Sequence, residues 1–78
     1  MHKIIDKNAP EPIYLQLKNW VEDSICRGKL LPGQRLPSEN EFSRRCGIHR
    51  NTARNALLRL EREGVLRSVP GSGWFVSQ

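Results

Sequence analysis

The chain has 78 residues, which allows one domain and places it near the lower limit for folding without covalent staples. Its formal charge is +5, from 13 Lys and Arg against 8 Asp and Glu, and arginine supplies nine of the 13. No apolar run approaches the ~20 residues of a membrane span, Met1 to Pro10 lack the apolar stretch of a signal peptide, and no His or Cys lies at metal-ligand spacing.

Met1 to Glu11 read as a polar, partly mobile arm (residues 1–11), and His2 is given no role. The domain proper is expected over residues 12–78. Pro12 sits at a helix start, where its missing N–H costs nothing. Ile13, Leu17, Trp20, Val21 and Ile25 follow at intervals of three to four residues. This spacing predicts an amphipathic helix to about Arg27, ended by Gly28. Pro32-Gly33 carries turn chemistry, and Gln34 to Leu36 fit a short strand. Cys26 and Cys46 are expected to be reduced, buried structural thiols in a reducing cytoplasm.

Ser38 opens a second helix. With Glu41 it makes the capping box Ser-x-x-Glu, in which hydroxyl and carboxylate each satisfy an orphan amide. Phe42 and Cys46 should face inward. Gly47 breaks the helix, Ile48 plugs the turn, and His49 caps a third helix from Arg50 to about Arg62. A helix, a tight glycine-containing turn and a second helix form a helix-turn-helix. After Gly64, the β-rich runs Val65–Val69 and Trp74–Ser77 flank the turn sequence PGSG. The expected fold is mainly α with a small β-hairpin wing: a winged helix-turn-helix with a three-helix core.

The third helix lies within GIHRNTARNALLRLEREG (Gly47 to Gly64). At about 100° per residue, Ala53, Ala56, Leu57 and Leu60 make one stripe, the core face. Arg50, Asn51, Arg54, Asn55 and Arg59 fall outside it. Leu58 also falls on the exposed side, where this pattern offers no account of it. Arg50 and Arg54 project one turn apart from the N-terminal half, the half that meets base edges in a helix-turn-helix. Arginine pairs bidentately with guanine, and asparagine with adenine. A merely solvated polar face is the bland alternative; motif and charge together favour the nucleic-acid reading. Glu61 and Glu63 imply that the contact fades toward the C-terminal end. The arginine cluster from Arg44 to Arg67 implies affinity that falls as salt rises. Glu39 and Glu41 are explained by capping and the helix dipole, so no enzyme is expected, and no cofactor or metal.

PIYLQLKNWVEDSICRGKLLPGQRLPSENEFSRRCGIHRNTARNALLRLEREGVLRSVPGSGWFV, Pro12 to Val76, resembles the N-terminal DNA-binding domain of the GntR family of bacterial transcription regulators. The resemblance rests jointly on Ile13-Tyr14 and Gln16, Gly28 with Pro32-Gly33, Leu36-Pro37-Ser38-Glu39, Gly47-Ile48-His49-Arg50, Thr52-Ala53-Arg54, Leu60-Glu61 with Gly64, and Gly71-Ser72-Gly73. The start before the first helix is similar to the HutC or YtrA branches. The resemblance implies that Arg50 and Arg54 contact bases, with Asn51 between them. Asn40 falls at a phosphate- or base-contacting position that is often Arg in the family. His49 falls at a phosphate-contacting position that is usually Ser or Thr. This departure weakens the cap and leaves the hydroxyl–phosphate contact in doubt, although an imidazolium would also pair with phosphate. Arg44 and Arg45 either contact phosphates or solvate the second helix. Gly71 matches a wing-tip glycine near the minor groove, and the wing from Gly71 to Gly73 reads groove shape. Trp74 stands where the family often has Thr and is expected to pack the hairpin rather than touch DNA.

The implied function is sequence-specific binding of a double-stranded DNA operator, an inverted repeat, as the reading domain of a cytoplasmic repressor. A regulator of this family continues into an effector-binding and dimerising domain. The chain is therefore expected to be part of a longer homodimeric protein whose small-molecule effector binds outside it. Two alternatives are a winged helix used for protein interaction and the head of a MocR-type regulator with an aminotransferase-like body.

Overall fold

The computed structural model describes residues 4–78. The expected roles of Met1 to Lys3, His2 among them, fall outside the described residues. Three helices, α1 (Ile13–Cys26), α2 (Glu39–Cys46) and α3 (Arg50–Arg62), precede two strands, β1 (Leu66–Val69) and β2 (Gly73–Val76). This is the winged helix-turn-helix that the sequence implies. Among the described residues, no helix is long and apolar enough to cross a membrane.

Local chemistry sets the helix ends. The Ser38 hydroxyl accepts from the Glu41 amide at 3.1 Å, and the Glu41 carboxylate accepts from the Ser38 amide at 3.3 Å, closing the capping box. At the ends of α1 and α3 the chain folds back in the same way. The Lys29 amide donates to the Ser24 carbonyl at 2.8 Å, and the Val65 amide donates to the Leu60 carbonyl at 2.9 Å. These bonds satisfy carbonyls that a helix terminus otherwise leaves unpaired.

The core is one cluster. Leu17 and Val21 of α1, Phe42 of α2, and Ala53, Ala56, Leu57 and Leu60 of α3 are fully excluded from solvent. Leu66, Trp74 and Val76 close it from the hairpin, and Leu30, Leu36 and Ile48 from the connections. Trp20 meets the Phe42 ring edge-on, with centroids 6.1 Å apart. β1 and β2 pair antiparallel, Leu66 opposite Val76 and Val69 opposite Gly73. Gln34 to Leu36 add a third, strand-like segment on the far side of β2. The Leu36 amide donates to the Trp74 carbonyl, and the Val76 amide to the Gln34 carbonyl, both at 2.9 Å.

Three expectations change. From Ile4 onward the arm is packed against the domain. Ile5 is only 7% exposed, and the Gln16 side chain accepts from the Asp6 amide (2.7 Å) while donating to the Asp6 carbonyl (2.9 Å). Cys26 is exposed and Cys46 only half-buried, both free thiols. α1 buries Leu17, Val21 and Ser24, and Cys26 ends the helix off that face. Burial still pushes the Cys46 thiol up, with the Arg45 charge opposing it. Leu58 is half-buried, packed against the core beside Tyr14 of α1.

Lys18 ties α1 to the end of α3: its ammonium lies 3.2 Å from both Glu22 and Glu63. The hydrogen bond it donates to the Glu63 carboxylate is the largest cause that raises it above its ordinary value of 10.5, with burial opposing. A cation whose folded value is raised contributes its full stabilisation below the unfolded value and loses it as pH rises through the folded value. Chemical denaturation should therefore show Lys18→Met less stable than wild type at neutral pH, by no more than about 1 kcal/mol. The difference should close only at strongly alkaline pH. Ile5→Ala should cost about 2 kcal/mol if the arm is docked as described, and a mobile arm would give no change in the denaturation midpoint.

Candidate nucleic-acid interface

The turn between α2 and α3 decides where α3 points. Gly47 takes a left-handed conformation (φ 65°, ψ 38°), which side-chain-bearing residues rarely adopt. The Ser43 hydroxyl donates to the Ile48 carbonyl at 2.6 Å, and the Ile48 amide donates to the Ser43 carbonyl at 3.2 Å. Lys7 reaches across from the arm, its ammonium donating to the Gly47 carbonyl at 2.9 Å. The turn is thus held from both sides, with Ile48 buried beneath it.

His49 caps α3 through its side chain: Nδ1 accepts from the Asn51 amide at 3.1 Å. That bond needs Nδ1 unprotonated, so the neutral ring carries its hydrogen on Nε2. Capping and an imidazolium–phosphate pair are therefore mutually exclusive. While the cap holds, His49 has a neutral N–H donor to offer a phosphate.

With Ala53, Ala56, Leu57 and Leu60 turned inward, Arg50, Asn51, Arg54 and Asn55 are exposed along the N-terminal half of α3. Among the described residues their side chains make no hydrogen bond or ion pair. The C-terminal half differs. The Arg59 guanidinium lies 4.9 Å from the Tyr14 ring centroid, a cation–π stack. Glu61 accepts from the Ser68 amide and Glu63 pairs with Lys18. Arg62, at the end of α3, is exposed and has no ion pair among the described residues, but it stands beside Glu61 and Glu63, whereas Arg50 and Arg54 stand among amides and no acid of α3.

Asn40, Arg50 and Gly73 share one shallow cleft with Ser38, Glu39 and Trp74, so residues far apart in sequence meet between α2, α3 and the wing. Gly71 stands exposed at the hairpin tip with φ +78° and open space around it. Trp74 packs the hairpin, as expected, and its indole N–H donates to Glu39 at 3.2 Å. That bond fastens the wing to the first residue of α2.

Arg44 and Arg45 separate. On α2, Asn40 and Arg44 are one turn apart, and Glu41 and Arg45 lie on the next face round. Arg44 is exposed. Arg45 pairs with Glu41 at 3.6 Å and lines the hollows beside Ile4 to Asn8 and beside Trp20 and Leu30. Arg45 is exposed too, and neither Arg44 nor Arg45 lines the cleft that holds Asn40 and Arg50; the ion pair to Glu41 is what distinguishes them. Arg35 has no role in the sequence reading, yet its guanidinium lies against Gly73, 3.5 Å from where a side chain would begin. Its only signal was its place in a segment that pairs with β2.

The sequence matches the family model for bacterial regulatory proteins of the gntR family over residues 13–76. It is 43% identical over 74 residues to the HTH-type transcriptional repressor NagR of Bacillus subtilis (strain 168), covering 95% of this chain and 30% of that protein. It is 42% identical over 72 residues to the arabinose metabolism transcriptional repressor of Geobacillus stearothermophilus, covering 92% of this chain and 20% of that protein. Among solved structures, it superposes with a TM-score of 0.85 and 37% identity on AraR(DBD) in complex with operator ORX1, covering 94% of this chain and 92% of that one. The chain thus spans less than a third of these two curated relatives.

Removing the His49 cap leaves the Asn51 amide without its partner. His49→Ala should lower stability by about 0.5–1 kcal/mol, read as a drop in the thermal midpoint. His49→Ser should retain the cap and at least match wild type. Identical midpoints for wild type and His49→Ala would show that the imidazole contributes no cap.

Proposed function

The chain belongs to the GntR family of bacterial regulatory proteins, and on that premise we propose that it is the operator-reading domain of a transcription repressor that binds double-stranded DNA. The carrying observation is the pair Arg50 and Arg54, exposed one turn apart at the start of α3 with no hydrogen-bond or ion-pair partner for their side chains among the described residues. Relatives that are named repressors, and a similar domain solved on an operator, support the same reading.

In this reading the start of α3 enters the major groove. Arg50 and Arg54 read base edges there, with Asn51 beside them. Asn40, Arg44 and the Nε2–H of His49 hold the backbone, and Gly71 lets the hairpin tip approach the minor groove closely. Arg45 is left with a smaller share, because Glu41 already engages it. We infer further that the operator is an inverted repeat read by a homodimer, since two-fold protein symmetry matches two half-sites. A small-molecule effector would bind outside these residues, and the place of action is the cytoplasm.

Selection from random duplex DNA by the 78-residue chain should return a defined half-site, which then serves as probe. Arg54→Ala should weaken binding to the selected duplex by roughly 1–3 kcal/mol and to a scrambled duplex much less, so the specificity ratio falls. Arg44→Ala should weaken both about equally and flatten the salt dependence. Equal losses on both duplexes for Arg54→Ala would make α3 a backbone-binding face. Wild-type behaviour of Arg54→Ala would make its arginines a solvated surface.

A further inference from the structure

We propose that Arg35 and Arg67, on the outer face of the wing, form a second phosphate-contacting patch that carries the DNA contact beyond α3; this rests on the operator-reading function above. In the register of the sheet, Phe75 lies opposite Arg67 on one side and bridges to Arg35 on the other. Residues directly opposite in neighbouring strands point to the same face. The three side chains therefore form a row, arginine–phenylalanine–arginine, across strands about 4.8 Å apart. Trp74 and Val76, which alternate with Phe75, point into the core.

Each guanidinium rests against the hairpin. Arg67 lies over the Phe75 ring at 5.9 Å from the centroid. Arg35 lies along the backbone at Gly73, with Nε 3.5 Å and Nη2 3.7 Å from the position a Cβ would take. Gly73 has φ +112°, a conformation that side-chain-bearing residues rarely adopt, and the Arg35 guanidinium rests beside it at ordinary van der Waals distance. Neither arginine has a carboxylate partner among the described residues, whereas Arg27, Arg45 and Lys18 do. Glu39 and Glu61, the acids nearest the hairpin in the bonding pattern, are occupied by the Trp74 indole and the Ser68 amide.

Two guanidiniums without a carboxylate partner among the described residues match the sugar-phosphate backbone, which guanidinium forks bind bidentately. The patch adjoins the proposed interface, because Gly73 also lines the cleft containing Asn40 and Arg50. A protein partner fits less well: Phe75, the apolar member of the row, is already half-buried, with Arg67 over its ring. The wing would then contribute phosphate contacts from its outer face as well as the close approach of its tip.

The test is titration of wild type, Arg35→Gln, Arg67→Gln and the double variant against the selected and scrambled duplexes over a range of salt. Each phosphate contact contributes about 0.9 to the slope of log K against log salt. Each single variant should flatten the slope by about one and the double by about two, on both duplexes, with the specificity ratio and thermal midpoint unchanged. Arg35→Lys and Arg67→Lys should keep the wild-type slope. Wild-type slopes in the glutamine variants would overturn the patch while leaving the operator-reading function standing. A lowered midpoint with lysine variants that fail to restore the slope would assign the arginines to wing packing and likewise overturn it. A wild-type chain that binds neither duplex would overturn both.

Discussion

Ala53, Ala56, Leu57 and Leu60 are all fully buried, and their burial fixes the rotation of α3 about its own axis. Burying each leucine is worth roughly 1.5–3 kcal/mol. Turning the helix by one residue, about 100°, would expose that stripe and drive arginine into the core, where an unpaired charge is far more costly. The outward direction of Arg50, Asn51 and Arg54 is thus a consequence of the apolar stripe behind them, and their donors have no ion-pair partner among the described residues. The two alanines also let α1 and α2 pack close to the helix axis.

Rotation alone does not place α3 relative to the rest of the interface. The left-handed Gly47, the Ser43–Ile48 bonds and the Lys7 contact set the angle between α2 and α3. The Trp74–Glu39 bond sets the wing against the start of α2. With the hairpin tied to the start of α2 and α3 tied to its end, Asn40, Arg50 and Gly73 line one cleft. Rigid placement matters, since a base contact read by a bidentate pair depends on geometry as well as charge.

The arm shows how little chain is needed to stiffen such a turn. Ile5 inserts into the core, Gln16 clamps the backbone at Asp6, and Lys7 then lies within reach of the Gly47 carbonyl. The segment joins the first turn of α1 to the C-terminal end of α2.

The sequence by itself determined whatever is decided within a turn or two of chain. The Ser38–Glu41 box, the glycines that close the helices, the extent of α3 from Arg50 to Arg62 and its inward stripe are all consequences of spacings of one to four residues. So was the outward face carrying Arg50 and Arg54. Tertiary structure decided what depends on neighbours distant in sequence. Ile5 looked like part of a polar arm because no periodicity surrounds it, and only the core could show that it has a place there. Leu58 had no account until Tyr14 of α1 lay beside it. Cys26 was misjudged because its residue type suggested burial while its position ends α1 off the buried face. Arg44 and Arg45 were equivalent as neighbouring letters and became different when Glu41 and the surrounding hollows engaged Arg45. Arg35 and Arg67 acquired a common face only through their pairing with Phe75. Helical period and capping are properties of one segment, whereas burial, pairing across a sheet and freedom from counter-charges belong to segments brought together by folding.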